Sequence, residues 1–361
     1  MSGSLFSVLN YRMSRFEKNP RIAAGEIDMD VKDVYGIGHA LVDLQYSVDP
    51  AFLKDHGIAK GVMTLVDEDR QVELQAALAV SPANSASGGS AANTMIALAR
   101  CGGHAHYAFR VGDDRWGDFY CRDLSEAGVD SGAASRGSGK TGQCMVFVTP
   151  DADRTMNTFL GASAGMGPRQ VERQAIRRSR YVYLEGYLLT SESGMEACDL
   201  ARRWARSEGV GVSMTLSDPA IVQAFGERFR ELVDSGVDLL FCNEEEAMVF
   251  TGSGELHQAV SELAHRVPIA AVTRGASGAL VAAGTTQEQV DAVPVQAVDT
   301  TGAGDSFAGG FLFGICRGYG IAEAARLGCF AAAEVVSGLG PRLERTLGNE
   351  IESILAGTTT I

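Results

Sequence analysis

Residues 297–307 read AVDTTGAGDSF. Two carboxylates, Asp299 and Asp305, bracket a threonine pair and the small-residue run Gly302-Ala303-Gly304. Just upstream, VPVQAV (293–298) reads as a strand. Downstream, Phe307, Phe311 and Ile315 recur every fourth residue, the apolar face of a helix packing on a sheet. That order places Gly302–Gly304 at a helix N-terminus. There the first N–H groups lack intrahelical partners and the dipole end is positive. Such an end binds anions, and only small residues let a phosphate approach the backbone closely. Asp305 falls in the first turn, beside the place of a phosphoryl group. An isolated Asp there would merely favour the helix end. Strand, bare turn, acid and helix together point to a site that handles phosphate.

The surrounding sequence supplies a frame for that site. DVYGIGHALVDL (33–44) reads as a buried first strand ending near Asp43. SGGSAANTMIALARCGG (87–103) reads as a Gly-Gly turn opening a helix, which Gly102-Gly103 stops. HAHYAFRVG predicts the next strand and DRWGDFYCRDLSEAGV the next helix. RYVYLEGYLL, VGVSMTL, VDLLFCN and IAAVTRG are further short strands separated by helical stretches. Strands alternating with helices indicate a layered α/β domain with a mostly parallel central sheet. Ligands of such sheets bind at the C-terminal strand ends. Two segments break the alternation. GQCMVFVTPDADRTMNTFL reads as a β-hairpin, and the stretch before Gly88 is mixed and more polar. Residues 44–87 and 140–162 are therefore expected to form a small β lid over those ends.

Composition excludes several classes. The chain has 361 residues, 45% of them hydrophobic, and a formal net charge of −14. That length suits one large domain, here residues 31–361, with 1–30 read as an N-terminal extension. An acidic chain is poorly suited to gripping a nucleic-acid backbone. Seven cysteines without a CxxC pair argue against a disulfide framework or thiolate zinc site, and for a reducing cytoplasm. The apolar run near the start is too short for a signal peptide, and FLFGIC is far short of a membrane span. GSGKT (137–141) imitates the end of a P-loop, but Ala134 stands where the leading glycine belongs, and a strand follows instead of a helix.

DTTGAGDSFAGGFL (299–312) resembles the C-terminal signature of the ribokinase-like, or PfkB, carbohydrate kinases. SGGSAANTMIALARCGG is similar to that family's N-terminal Gly-Gly motif, NEEEA (243–247) to its Asn-x-x-Glu motif, and TRGASGAL (273–280) to its nucleotide-loop turn. The resemblance covers about 33–345. It implies a three-layer ribokinase-like α/β sandwich and transfer of the ATP γ-phosphoryl group to an alcohol. Asp305 would accept the hydroxyl proton, and the N–H groups of Gly302, Ala303 and Gly304 would hold the developing charge. Asn243 and Glu246 would organise Mg²⁺, largely through water. Asn243, Thr273, Gly275 and Thr301 would border the nucleotide. Asp43, Gly88, Gly89 and Asn93 would hold the acceptor, and Arg154 would neutralise phosphate on lid closure. Each of these residues read singly is also an ordinary cap, turn or surface group.

KTGQC, DRTMNTF, EGYLLT and the long segment after Asp43 resemble the adenosine kinase-like branch. Adenosine is the favoured acceptor, with Met63, Leu65, Phe159 and Tyr187 as candidate walls for a base. A free sugar such as ribose or fructose, or a non-catalytic nucleoside or sugar sensor, are the alternatives. A monovalent cation such as K⁺, and a monomer or homodimer, are left open. No nucleic-acid or membrane partner is implied. Cys329-Phe330 is expected to border the adenine, where other members often carry His or Asn.

Overall fold

The computed structural model describes residues 31–78, 80–132, 136–151 and 154–361; the extension read at 1–30 lies outside them. In chain order the strands are β1 (Lys32–Ile37), β2 (Leu41–Ser47), β3 (Met63–Leu65), β4 (Asn84–Gly88) and β5 (Ala105–Ala108). Then come β6 (Val111–Gly112), β7 (Val129–Ser131), β8 (Arg136–Gly137), β9 (Gly142–Val148), β10 (Arg154–Phe159) and β11 (Ser179–Leu184). The last five are β12 (Gly211–Thr215), β13 (Leu239–Asn243), β14 (Ile269–Thr273), β15 (Ala279–Ala283) and β16 (Thr286–Val290).

Nine of them form the main sheet in the order β16-β15-β14-β13-β12-β11-β1-β5-β7. From β14 to β7 neighbouring strands run parallel; β14, β15 and β16 form an antiparallel edge. Parallel strands covered on both faces read as near-continuous apolar runs. In β11 all six residues are buried: Tyr181 and Tyr183 enter one core, Val182 and Leu184 the other. The first core holds helices Ser90–Arg100, Ala303–Cys316 and Ile321–Val336. The second holds Glu192–Glu208, Pro219–Asp234, Glu244–Thr251 and Leu256–Arg266. The result is the layered α/β domain that the alternation predicts, in the three-layer form that the resemblance implies. No helix among the described residues is long and apolar enough to cross a membrane.

A second sheet has the order β3-β10-β9-β2-β4. β2 alternates, with Val42, Leu44 and Tyr46 buried and Leu41, Asp43 and Gln45 partly exposed, the mark of a sheet with two unlike faces. The back face packs under helices Pro50–Asp55 and Glu68–Leu78. Phe147 meets Phe52 with ring centroids 5.5 Å apart, and Gln143 accepts from Gln71 Nε2 at 2.7 Å. The front face lines a cleft at the C-terminal ends of the main strands.

Two readings of the sequence are corrected here. DVYGIGHALVDL is two strands in two sheets, so Asp43 lies within β2 and does not end β1. The chain leaves the main sheet at Gly38, where an added Cβ would lie 2.3 Å from Glu185 Oε2 and 2.7 Å from Ala91 Cβ. VPVQAV forms no strand. Pro294 cannot donate to a ladder, and the N–H groups of Val298 and Asp299 bond instead to Val336 O at the end of a helix.

Candidate active site

Gly302 caps the helix Ala303–Cys316 with φ +76°. This left-handed conformation favours glycine, and an added Cβ would lie 2.1 Å from Pro341 O. At Gly304 an added Cβ meets nothing within 4 Å, so the space beside that residue is open. The two bracketing carboxylates do different work. Asp299 accepts from Thr301 N at 3.0 Å and Gly340 N at 2.9 Å, and pairs with Arg154. Burial pushes its carboxyl upward, but those donors more than offset it and hold it below the usual carboxylate range. Asp299 therefore shapes the turn. Asp305 instead lines the cleft, taking Ser90 Oγ–H at 2.6 Å on Oδ1 and Asn93 Nδ2 at 3.1 Å on Oδ2. Desolvation pushes its carboxyl up to about 6, against those two hydrogen bonds.

Of the acceptor-side residues, Asp43, Gly89 and Asn93 line the same cleft of about 580 Å³, and Gly88 does not. Gly89 has φ +108° and opens helix Ser90–Arg100. Gly88 lies so close to Asp43 that a Cβ would come within 2.3 Å of Oδ2. Burial pushes Asp43 up to about 7; Arg154 and Arg342 oppose that, and Asp305 adds to it. Asn93 Oδ1 is buried without a hydrogen-bond partner among the described residues. A buried acceptor of this kind waits for a donor, and a substrate hydroxyl in the cleft would supply one. Arg154 does not line this cleft; it pairs with Asp299 and so links β10 to the glycine turn.

Asn243 and Glu246 form a reciprocal capping box. Glu246 N donates to Asn243 Oδ1 at 2.8 Å, and Asn243 N donates to Glu246 Oε2 at 3.1 Å. Both also line a 160 Å³ cavity with Thr215, Ser217, Thr273, Gly304 and Asp305. The donors there are carboxylate, amide and hydroxyl oxygens, the set a hard cation takes. Among the described residues no three His, Cys, Asp or Glu converge closely enough to hold a metal alone. A hydrated Mg²⁺ that takes water and phosphate oxygens as well fits such a cavity. Gly275 lies two residues beyond Thr273 at φ +52° and lines neither cavity.

Residues 61–346 match the profile of the pfkB family carbohydrate kinases. The chain belongs to that family. It is 38% identical to the adenosine kinase of Sinorhizobium meliloti, with a TM-score of 0.82 over 89% of this chain and 99% of that one. It is 26% identical over 325 residues to adenosine kinase 1 of Arabidopsis thaliana, covering 83% of this chain and 93% of the relative. It is 33% identical over 245 residues to the ATP-dependent ribose-1-phosphate kinase of Halopiger xanaduensis, covering 68% and 78%. This PfkB protein is an ATP-dependent kinase of the sugar and nucleoside type, acting on an alcohol acceptor.

Several cleft residues of the kinase carry no local signal in the sequence. Glu185 is buried; its Oε1 accepts from His39 N at 3.2 Å and its Oε2 from Ala91 N at 2.8 Å, tying β1's exit to the Ser90 helix. Desolvation pushes that carboxyl up to about 8 against these bonds. His39 hydrogen-bonds Ser163 Oγ at 3.0 Å, and burial lowers its pKa to about 4, so the ring is neutral. Ser217 has φ +70°, the one positive value among the described non-glycine residues, and borders both cavities. Strain of this kind gathers at functional sites. Of the expected walls, Met63, Leu65 and Tyr187 line the cleft and Phe159 does not. Cys329 and Phe330 are buried in the first core and line neither cavity. The GSGKT imitation also has a structural use. Thr141 donates from N and Oγ1 to Asp114 at 2.8 and 2.6 Å, fixing the cap of helix Arg115–Glu126.

Proposed function

We propose that this kinase phosphorylates the primary hydroxyl of a nucleoside, adenosine foremost, with ATP and Mg²⁺. The observation that carries the reading is the front face of the small sheet. Register pairs Asp43 with Cys144, Cys144 with Thr158, Thr158 with Leu65, and Met156 with Met63. Asp43 thus stands at one side of a face that becomes apolar through Met156, Met63 and Leu65. Leu65 is 60% exposed and Met63 40%. Exposed apolar side chains gathered over a cleft mark a ligand surface. A ribose diol on Asp43 would lay its base along that surface, opposite Tyr187 and Ile221. A free ribose would leave most of it bare. The small sheet acts in this reading as a lid.

The chemistry follows from placement. Asp305 lies beside the open turn and, with its carboxyl near 6, is ionised at neutral pH. It accepts the proton of the acceptor hydroxyl as that oxygen bonds to the γ-phosphorus and the bond to ADP breaks. Phosphoryl transfer asks mostly for positioning and charge stabilisation. The N–H groups of Gly302 and Gly304 would turn their charge to the transferring oxygens, while Ala303 N already donates to Thr300 O at 3.3 Å and would have to be shared. Mg²⁺, held through Glu246 and Asn243 with water, neutralises phosphate charge when bound. The deciding assay is kcat/KM for adenosine against ribose and fructose, since discrimination is a ratio of those values. We expect adenosine to win. A free sugar turning over more efficiently would move the acceptor to the sugar class. No product with any nucleoside, sugar or phosphate donor would leave a sensor on a kinase scaffold.

A further inference from the structure

Asp305 comes from the phosphate turn, but both of its oxygens are held by the helix that opens the acceptor side. Ser90 is the first residue of that helix and borders both cavities. Its hydroxyl donates to Asp305 Oδ1 at 2.6 Å, the short distance of a hydrogen bond to a charged oxygen. Asn93, one turn on, donates to Oδ2 at 3.1 Å. We propose that Ser90 is a positioning residue for phosphoryl transfer: its hydroxyl fixes the Asp305 carboxylate between the acceptor helix and the glycine turn and favours its ionised form. This rests on Asp305 being the base.

The surroundings of Asp305 explain why such a donor matters. The titratable groups facing it are Asp43 from β2, Tyr183 from β11, Glu185 and Tyr187 just after β11, and Glu246 from helix Glu244–Thr251. Only those that are ionised oppose a negative charge on Asp305: the tyrosines and Glu185 keep their protons at neutral pH, while Asp43 and Glu246, each pushed up to about 7, come to oppose it as they lose theirs. Burial acts the same way. Neutral donors from Ser90 and Asn93, with the positive end of helix Ala303–Cys316, work against both. An ionised carboxylate oxygen has two lone-pair positions. With Ser90 on one, Oδ1 keeps another for the acceptor proton. Ser90 keeps its own proton throughout, because it donates to the group that receives one.

The test is the pH dependence of kcat/KM for adenosine in wild type, Ser90→Ala, Ser90→Cys, Ser90→Thr and Asp305→Asn, each checked for folding by its melting curve. Protonation of the base sets the acid limb. Losing a hydrogen bond to a charged group moves that limb up by about one pH unit or more. We expect Ser90→Ala to show that shift, Ser90→Cys a smaller one, and Ser90→Thr to restore the wild-type limb. A limb that stays put in Ser90→Ala, with Asp305→Asn inactive, overturns the role of Ser90 and leaves the base standing. A raised acceptor KM with an unmoved limb also overturns it, since Ser90 would then bind substrate only. An Asp305→Asn enzyme with near wild-type turnover removes the base, and this inference with it.

Discussion

Two glycines two residues apart should fail in opposite ways. At Gly302 an alanine must adopt φ +76°, where an L-residue costs about 1–2 kcal/mol. Its Cβ would also lie 2.1 Å from the backbone oxygen of Pro341, a contact that only movement can relieve. The 340–342 segment is poorly free to move: Gly340 N is bonded to Asp299, and Arg342 is paired with Asp123. Gly302→Ala should therefore lose at least about 2 kcal/mol, roughly a 30-fold change in the folding equilibrium. At Gly304 a Cβ meets nothing. Valine is a better helix former than glycine by a few tenths of a kcal/mol, so Gly304→Val should fold as well as wild type. Its side chain, however, fills the space where the proposed reaction has phosphate meet bare N–H groups. Losing one such donor costs about 10²–10³-fold in turnover. Urea denaturation measures the first effect, and steady-state kinetics with ATP and adenosine the second. A folded Gly304→Val enzyme with wild-type kcat/KM for both substrates would show that no phosphate docks there. Equal loss of stability in both variants would refute the packing argument.

Asp43→Ala should lower kcat/KM for the acceptor about ten- to a few-hundredfold, the worth of hydrogen bonds to a charged group, with ATP binding alone nearly unchanged by calorimetry; unchanged acceptor kinetics would remove Asp43 from the site. Leu65→Ser, at a largely exposed position, should leave the melting temperature alone and raise the adenosine KM about tenfold, since covering a leucine contributes about 1.5–3 kcal/mol; an unaltered KM would clear the small sheet of any contact with the base. Glu185 holds its proton up to about 8 when folded against 4.5 for a free side chain, so its contribution is full below 4.5 and is lost as pH rises through 8. The apoenzyme should thus be less stable to urea at pH 8.5 than at pH 5.5, and Glu185→Gln should narrow that difference; an unchanged difference would mean the carboxylate is already ionised at the lower pH.

What the sequence determined by itself was local in origin. A glycine turn followed by apolar residues every fourth position fixes a helix start, and the helix begins at Ala303 as that pattern requires. The strand–helix alternation fixes the layers, because buried parallel strands leave continuous apolar runs. Asn243 and Glu246, three apart, form the capping box that such spacing allows. Tertiary structure decided which group faces which. Asp299 and Asp305 look equivalent along the chain, yet one is consumed by Thr301, Gly340 and Arg154, and the other opens to the cleft. Asp43 reads as the end of a strand; only the break at Gly38, forced by Glu185 and Ala91, moves it into the second sheet. Ser90 and Asp305 lie 215 residues apart, and nothing periodic in the chain links them. Their hydrogen bond exists because two helices begin at the same strand ends, where the packing of both on one sheet face brings their N-termini together.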